Sequence, residues 1–372
     1  MSGEAGDAPG LDPAIGRAPQ GRPPWGRRSS GRPDAGFGSD RGGPTYAALD
    51  LGTNNCRLLV ARPDGASFRV VDAFSRIIRL GEGVSLSGRI SDAAIERAIE
   101  ALAICRNKMK NRGVTRAYLI ATEACRAAAN GDEFLARVGS ELGLALEVID
   151  RETEARLAAT GCTPLIDPQA EGVVLFDIGG GSSELVRLDR SHDTQRGPPL
   201  PRIRGWISLP HGVVTLAERY GGLNVTAATY AAMVDDVTAL IAPFAREHGG
   251  DGLRGIHLLG TSGTVTTIAG VHLNLKHYDR NRVDGCWLSA PEVNAVLEKL
   301  RAMTYDDGVA SPCIGAERAD LVLAGCAILE AIRRAFPCPR LRVADRGLRE
   351  GMLVQMMRED GAWGGGNQAA AT

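Results

Sequence analysis

Several features that mark other classes of protein are missing from this sequence of 372 residues. The eight cysteines lie singly and include no C-x-x-C pair, which argues against a disulfide framework and against a zinc site. No run reaches the ~18 consecutive apolar residues of a membrane-spanning helix, and no apolar segment near the start looks like a secretory signal. These absences predict a cytoplasmic protein with reduced, mostly buried thiols and no membrane partner.

Net charge and the common metal and nucleotide motifs are also lacking. Lysine and arginine number 43 against 44 aspartates and glutamates, so no overall field would recruit nucleic acid. The six histidines show no H-E-x-x-H spacing, and no Walker loop ending in Gly-Lys-Ser/Thr occurs. Hydrophobic residues nevertheless make up 44% of the chain, which is enough for a large core. We therefore expect a globular protein without a specific nucleic-acid partner.

The two ends of the chain differ in composition from the rest. Residues 1–44 are rich in Gly, Pro, Arg and Asp and carry almost no aliphatic side chains. Such a segment cannot bury enough apolar surface to offset the entropy lost on ordering, so 1–44 is predicted to be a disordered tail. Its arginines could contact RNA or acidic partners, but neighbouring acids nearly balance them and favour a solvated tail. Residues 361–372 are likewise predicted to be a tail.

Between these ends, one pattern of elements occurs twice. Apolar strands joined as hairpins are predicted at 46–61 and again at 173–188, each followed by a third strand, helices and a fourth strand. This self-similarity indicates two α/β domains related by duplication. The first domain is assigned to 45–151 and the second to 152–346.

Each half opens with a strand that ends in an aspartate and a glycine-containing turn. The first turn reads Asp50-Leu-Gly-Thr-Asn-Asn-Cys-Arg57 and the second Asp177-Ile-Gly-Gly-Gly-Ser-Ser-Glu184. Glycines lack a Cβ atom, so backbone N–H groups there can close on a phosphate. Either aspartate alone could merely cap a turn, but two facing carboxylates are costly to bury unless a cation such as Mg²⁺ lies between them. The pair therefore predicts a shared site for phosphate and magnesium.

A third glycine-containing loop follows a later apolar strand and precedes a helix. Its backbone amides and the positive end of the helix would attract an anion. We predict phosphate contacts from Gly260, Thr261, Ser262, Gly263 and Thr264.

Taken together, these segments resemble the Ppx/GppA family of exopolyphosphatases and guanosine pentaphosphate phosphohydrolases, in the superfamily of actin, Hsp70 and sugar kinases. The resemblance covers about 45–355 and includes Ala121-Thr-Glu-Ala-Cys-Arg126, Glu152-Thr-Glu-Ala155 and Arg346-Gly-Leu-Arg-Glu-Gly351. It implies a duplicated actin-like (ribonuclease H-like) fold with the active site in the cleft between the domains. In such a fold, a C-terminal helix at 347–360 would pack on the first domain.

The resemblance also implies roles for individual residues. Glu154 matches the general base that activates a water, Glu184 a second acid of the catalytic site, and Arg126 a contact to phosphate. Asp50 and Asp177 match the carboxylates that bind Mg²⁺. The residues that match the two phosphate-binding turns are Thr53, Asn54, Asn55 and Arg57 in the first and Gly179, Gly180, Gly181, Ser182 and Ser183 in the second.

These roles imply Mg²⁺-dependent removal of the terminal phosphate of inorganic polyphosphate, of guanosine pentaphosphate, or of both. Phosphoryl transfer depends on positioning and charge neutralisation, and Glu154 would deprotonate a water placed for in-line attack.

Other interpretations remain open from the residues alone. Without the family resemblance, Glu152 and Glu154 would be taken for acids that stabilise the first turn of a helix. A non-catalytic scaffold that binds polyphosphate or a nucleotide is the main alternative, although three acids facing a polyanion argue against it. A sugar-kinase-like transferase would need an acidic base in a sugar pocket, and none is found. Leu321, Leu323 and Ile328 could form a homodimer interface, although burial in the core is favoured.

Overall fold

The computed structural model describes residues 43–189, 198–249 and 255–363, together with the backbone of 14–16. Two β-sheets, each covered by helices, form two lobes. Among the described helices, none combines the length and the apolar character that crossing a bilayer requires. The strands are β1 (Ala14–Gly16), β2 (Tyr46–Leu51), β3 (Asn55–Asp64), β4 (Ser67–Ile77), β5 (Arg116–Ala121), β6 (Glu147–Val148), β7 (Gly172–Ile178), β8 (Ser183–Asp189), β9 (Arg202–Leu209), β10 (Ile256–Thr261), β11 (Trp287–Ser289) and β12 (Arg340–Ala344).

Helices alternate with these strands in both lobes. The longer ones begin at ordinary caps: the Ser91 hydroxyl, for example, accepts a hydrogen bond from the Ala94 amide at 3.3 Å, as the sequence predicts. The helices are α1 (Val84–Ser87), α2 (Asp92–Asn111), α3 (Glu123–Ala127), α4 (Gly131–Leu142), α5 (Arg151–Cys162), α6 (Val213–Tyr220), α7 (Ala227–His248), α8 (Gly263–His272), α9 (Arg280–Val283), α10 (Ala290–Ala302), α11 (Tyr305–Ala310), α12 (Val322–Ala335) and α13 (Leu348–Glu359).

Both sheets share one strand order, which confirms the predicted duplication. The five-stranded sheet of the first lobe runs β4-β3-β2-β5-β6, with β2, β3 and β4 antiparallel and β5 and β6 parallel to β2. In the second lobe, β9-β8-β7-β10-β12 repeats this order, flanked by β1 and β11. Strand β7 is buried on both faces, as its continuous apolar run predicts. The fold is thus the duplicated actin-like α/β arrangement.

Two helices pass between the lobes and cross each other closely. Helix α5 leads from the first lobe to the second, and α13 returns and packs on the first sheet. Leu353 and Met356 of α13 share a buried cluster with Tyr46 and Ile120 of that sheet. A Cβ atom at Gly161 of α5 would lie 1.9 Å from the Gly347 carbonyl oxygen, which precedes α13. The absence of a side chain at this position therefore lets the two helices touch backbone to backbone.

Part of the predicted N-terminal tail joins the second sheet. The backbone of Ala14–Gly16 pairs antiparallel with 206–208 of β9 at the edge of the sheet. The rest of 1–42, and residues 364–372 of the predicted C-terminal tail, lie outside the described residues.

The thiols are mostly buried, as predicted, and so are two of the three apolar residues assigned to the core or to a dimer interface. All eight cysteines are free, and six of them are buried. Of the three residues that the sequence assigns to the core or to a dimer interface, Leu321 and Ile328 are buried in the core of the second lobe, whereas Leu323 is half-buried.

Substituting alanine for Gly161 should destabilise the protein. Because the added Cβ would meet the Gly347 carbonyl, α5 and α13 must separate, and overpacking of this kind costs about 1–3 kcal/mol. Urea unfolding measures the change. The control is Gly139→Ala in α4, where a Cβ would lie 3.9 Å from its nearest neighbour, and a gain of about 0.4–1 kcal/mol is expected. A Gly161→Ala protein as stable as the parent would contradict the close crossing.

Candidate active site

The aspartates of the two hairpins occupy equivalent positions in the two sheets. Asp50 lies directly opposite Arg57 in the β2–β3 ladder, and Asp177 lies directly opposite Glu184 in the β7–β8 ladder. Side chains that are opposite in an antiparallel pair lie on one face and interact. One hairpin therefore pairs its aspartate with a cation, whereas the other pairs its aspartate with a second acid.

The turns of the two hairpins touch each other across the cleft. A Cβ atom at Gly180 would lie 2.9 Å from Cβ of Thr53 and 3.2 Å from the Asn54 amide nitrogen. One at Gly181 would lie 2.8 Å from Oγ1 of Thr53. Because side chains at these glycines would separate the lobes, the close approach requires residues without a Cβ. The structure thus brings the two predicted phosphate turns together.

The first turn is held by backbone bonds and carries an unpartnered polar atom. The Thr53 carbonyl accepts from the Gly81 amide at 2.9 Å, and the Asn54 carbonyl accepts from the amides of Ile78 and Arg79. Oδ1 of Asn54 is buried, and among the described residues it has no hydrogen-bond partner. A buried acceptor of this kind is costly unless a ligand or water satisfies it.

The third predicted loop and the second hairpin turn follow the carboxyl ends of neighbouring strands, β10 and β7. Thr261 is paired in parallel register with Asp177, so the strand ends that carry them are adjacent. Ser262 has a φ of 123°, in the region that favours glycine, and its buried hydroxyl has no partner within the described part of the chain. Strain and an orphan hydroxyl at the N-terminus of α8 fit an anion-binding role.

Some of the predicted phosphate contacts have other partners. The Ser183 hydroxyl donates to the His211 carbonyl and that of Thr261 to the Arg346 carbonyl, both at 2.7 Å. The side chain of Thr264 packs against Gly325 of α12. For these three residues, the structure favours a phosphate contact through the backbone amide over one through the side-chain hydroxyl.

Glu154 lies in the first turn of α5, where the Asp150 side chain caps the helix. Its Oε2 accepts a hydrogen bond from Nη2 of Arg126 at 3.2 Å. The other guanidinium contacts of Arg126 also go to protein: Nε and Nη2 donate to Glu123, and Nη1 donates to the Ile149 carbonyl. A phosphate contact by Arg126 would require these bonds to rearrange, and that role stays a prediction.

Four acids share the cleft, and burial raises the pKa of each. It raises the pKa of Asp177 to about 6, with Arg57 opposing and Asp50 adding to the effect. Burial and then Asp177 raise the pKa of Glu184 to about 7. The pKa of Glu154 is well above its ordinary value because of burial and then Glu184, and burial likewise raises that of Asp50. Since Asp50 and Asp177 both act on Glu154, the structure brings these acids together.

Two contributors to this site have no role assigned from the sequence. Ser208 of β9 donates to Glu184 at 2.9 Å. Arg349 of α13 faces Asp50, and burial lowers the pKa of this guanidinium, with Glu350 opposing and Arg57 adding to the effect. Arg349 lies within the motif 346–351, but only the packing of α13 reveals that it faces Asp50. The contact of Ser208 follows only from the sheet order.

The donor set fits a hard divalent cation. Asp50 and Asp177 offer carboxylate oxygens, and an additional positive charge would offset the burial that raises their pKa values. Within 43–189, 198–249 and 255–363, no three or more His, Cys, Asp or Glu side chains form a cluster able to hold a metal alone. Mg²⁺ is typically held by one or two carboxylates together with water and substrate phosphates, so two acids suffice.

The fold has well-matched counterparts among solved structures. A Ppx/GppA family member from Aquifex aeolicus aligns with a TM-score of 0.69 and 28% identity, covering 85% of this chain and 98% of its own. An exopolyphosphatase from Cytophaga hutchinsonii aligns with a TM-score of 0.76 at 22% identity, over 85% and 98% of the two chains. The second likeness, at this identity, concerns the fold alone.

Sequence comparison reaches a curated relative as well. A guanosine-5'-triphosphate,3'-diphosphate pyrophosphatase from Aeromonas salmonicida is 27% identical over 315 residues, which is 84% of this chain. The chain spans 60% of the length of that relative.

Paired lobes with facing glycine turns define a member of the actin-like superfamily. The sequence profile described as the Ppx/GppA phosphatase family matches residues 59–360. The chain therefore belongs to the Ppx/GppA phosphatase family, which confirms the resemblance drawn from its motifs.

Replacing Glu184 with glutamine should stabilise the metal-free protein at high pH. The pKa of Glu184 is raised in the folded state to about 7, so the stability of the parent is lost as pH rises through that value. The expected gain is up to ~3 kcal/mol at about pH 8 and close to zero at about pH 4.

Urea unfolding in the presence of EDTA at both pH values measures this difference. Glu152→Gln, which removes a glutamate paired with Arg156 on the surface of α5, is the control and should give no such gain. A gain from Glu184→Gln that is independent of pH would contradict the burial of a charged carboxylate.

Proposed function

We propose that this protein is a Mg²⁺-dependent phosphohydrolase that removes a terminal phosphate by attack of a water activated by Glu154. The observation that carries the proposal is the convergence of both glycine turns on one group of buried acids. Turns of this kind bind phosphate through backbone amides, and the acids supply a base and two ligands for a cation.

Glu154 has the properties expected of the base. Burial and Glu184 raise its pKa well above the ordinary value, and a base is most effective when its pKa lies near the working pH. Arg126 occupies Oε2, which fixes the carboxylate while leaving Oε1 for a water. In the proposed step, Oε1 accepts the proton as the water oxygen bonds to the terminal phosphorus and the phosphoanhydride oxygen leaves.

Asp50 and Asp177 would hold the cation. Mg²⁺ bound there would neutralise the charge of the phosphates. Backbone amides of the turns and Arg57 would position the terminal phosphate, and the closed contact between the turns would limit access of bulk water.

A cavity beside the first turn favours a nucleotide substrate over polyphosphate. It measures about 410 Å³, adjoins Asn54, and is lined by apolar side chains such as Leu223 and Leu321. Its charged lining residues are Arg79, which pairs with Asp320 at 3.0 Å, and the acids Glu82 and Glu218. One cation among three acids does not favour a long polyanion. The curated relative named above as a guanosine-5'-triphosphate,3'-diphosphate pyrophosphatase supports this choice, and we propose guanosine pentaphosphate as the preferred substrate.

Phosphate release from guanosine pentaphosphate and from medium-chain polyphosphate tests the proposal. The parent protein should release phosphate, with the larger kcat/KM for guanosine pentaphosphate. Glu154→Gln removes the proton acceptor and keeps the shape, so kcat should fall by about 10²- to 10⁴-fold.

Glu152→Gln is a matched control, because Glu152 lies in the same helical turn but pairs with Arg156 outside the cluster of acids. It should retain the parent kcat. Equal rates for Glu154→Gln and the parent would remove Glu154 as the base, and a parent protein inactive on both substrates would favour a binding scaffold.

Activity should also depend on Mg²⁺ through Asp177. EDTA should abolish phosphate release, and added Mg²⁺ should restore it. Asp177→Asn should raise the Mg²⁺ concentration needed for half-maximal rate by about tenfold or more, since a charged oxygen ligand is lost. Asp189→Asn, at the far end of the same hairpin, should leave that concentration unchanged. A Mg²⁺ dependence of Asp177→Asn identical to that of the parent would argue against this ligand.

A further inference from the structure

Glu123, at the start of α3, holds two arginines through both of its carboxylate oxygens. Oε2 accepts from Nη2 and Nε of Arg126 at 2.6 and 3.0 Å. Oε1 accepts from Nη2 of Arg151 at 2.8 Å. Only 15% of the Glu123 side chain is exposed, and a partly buried acid with two guanidinium partners is well compensated.

This acid belongs to a group of two glutamates and two arginines that includes the proposed base. Arg126 donates onward from Nη2 to Oε2 of Glu154 at 3.2 Å, while its Nη1 is held by the Ile149 carbonyl. Arg151 lies one helical turn before Glu154 on α5. Glu123 is therefore tied to the base twice, through the guanidinium that contacts it and through the helix that carries it.

We infer that Glu123 is a positioning residue, which holds the Arg126 guanidinium so that Glu154 receives one hydrogen bond and keeps its second oxygen for water. The inference rests on the proposed hydrolysis. Arginine and carboxylate prefer a two-pronged pairing that uses both carboxylate oxygens. Without the Glu123 acceptor, Arg126 is free to rotate into that pairing, which would occupy Glu154 and make it a weaker base.

The charge state of Glu123 supports this role. Burial would raise its pKa, but the hydrogen bonds and charges of Arg151 and Arg126 outweigh burial and lower it. Glu123 is thus ionised at neutral pH and competes with Glu154 for the same guanidinium as a full charge.

The test compares Glu123→Gln with a control of the same kind. Asp72 on β4 also accepts from two cations, Lys108 at 2.8 Å and Arg112 at 2.9 Å, and is 13% exposed, but it lies outside the cleft. Steady-state phosphate release from guanosine pentaphosphate and from polyphosphate, and thermal unfolding, are measured for the parent, Glu123→Gln, Asp72→Asn, Glu154→Gln and the double variant Glu123→Gln/Glu154→Gln.

Misplacement of the base should lower kcat of Glu123→Gln by about 10- to 100-fold. KM should stay within about twofold of the parent value, because the turns and Arg57 that are proposed to position the phosphate are unchanged. Asp72→Asn should lose stability without a change in kcat. The double variant should be no slower than Glu154→Gln alone, since Glu123 acts through Glu154.

Three results would overturn the inference. In the first, Glu123→Gln keeps the parent kcat. In the second, adding Glu123→Gln to the Glu154→Gln enzyme lowers kcat by the same factor as adding it to the parent, which would indicate a general effect on the fold. The third result applies if Glu123→Gln fails to fold. Glu123→Asp then serves as the variant, since it keeps the charge but moves it away from Arg126 by one methylene. A parent-like kcat in folded Glu123→Asp would overturn the inference. A parent inactive on both substrates would instead overturn the proposed function, and this inference with it.

Discussion

The burial of several like charges in one cleft is the constraint on which the rest of this structure depends. Asp50 comes from β2, Glu154 from α5, and Asp177 and Glu184 from the β7–β8 hairpin, and burial raises the pKa of each of them. Carboxylates so close together destabilise a protein unless positive charge compensates them. The surrounding arginines compensate part of this negative charge, and the cation of the proposed function would compensate more. The glycine turns let the two lobes touch around these acids.

The duplicated lobes contribute different chemistry at equivalent positions. Where the first hairpin places Arg57 opposite its aspartate, the second places Glu184. If both aspartates faced an acid, the cleft would hold a further uncompensated negative charge. If both faced an arginine, the two cations would lower the basicity of any acid between them. In the proposed function, this asymmetry would provide a cationic side for the phosphate and an acidic side for proton transfer and metal binding.

The helix that carries Glu154 also joins the two lobes. Helix α5 crosses α13 with backbone contact at Gly161, and α13 is anchored on the first sheet through Leu353 and Met356. The position of Glu154 is therefore set by packing that involves both lobes, in addition to its contact with Arg126. Any change in the angle between the lobes would move this acid relative to the two glycine turns.

The local pattern of the sequence determined the strands, the main helices, the duplication and the turns after Asp50 and Asp177, because hydrophobic periodicity and glycine are local signals. The family motifs added the expectation of a shared cleft. Only the tertiary structure decided which side chains meet there: Glu123, unassigned from its motif, holds Arg126, and Ser208 reaches Glu184. Such contacts depend on strand order and on one helix crossing, and no short stretch of sequence encodes distances between segments far apart in the chain.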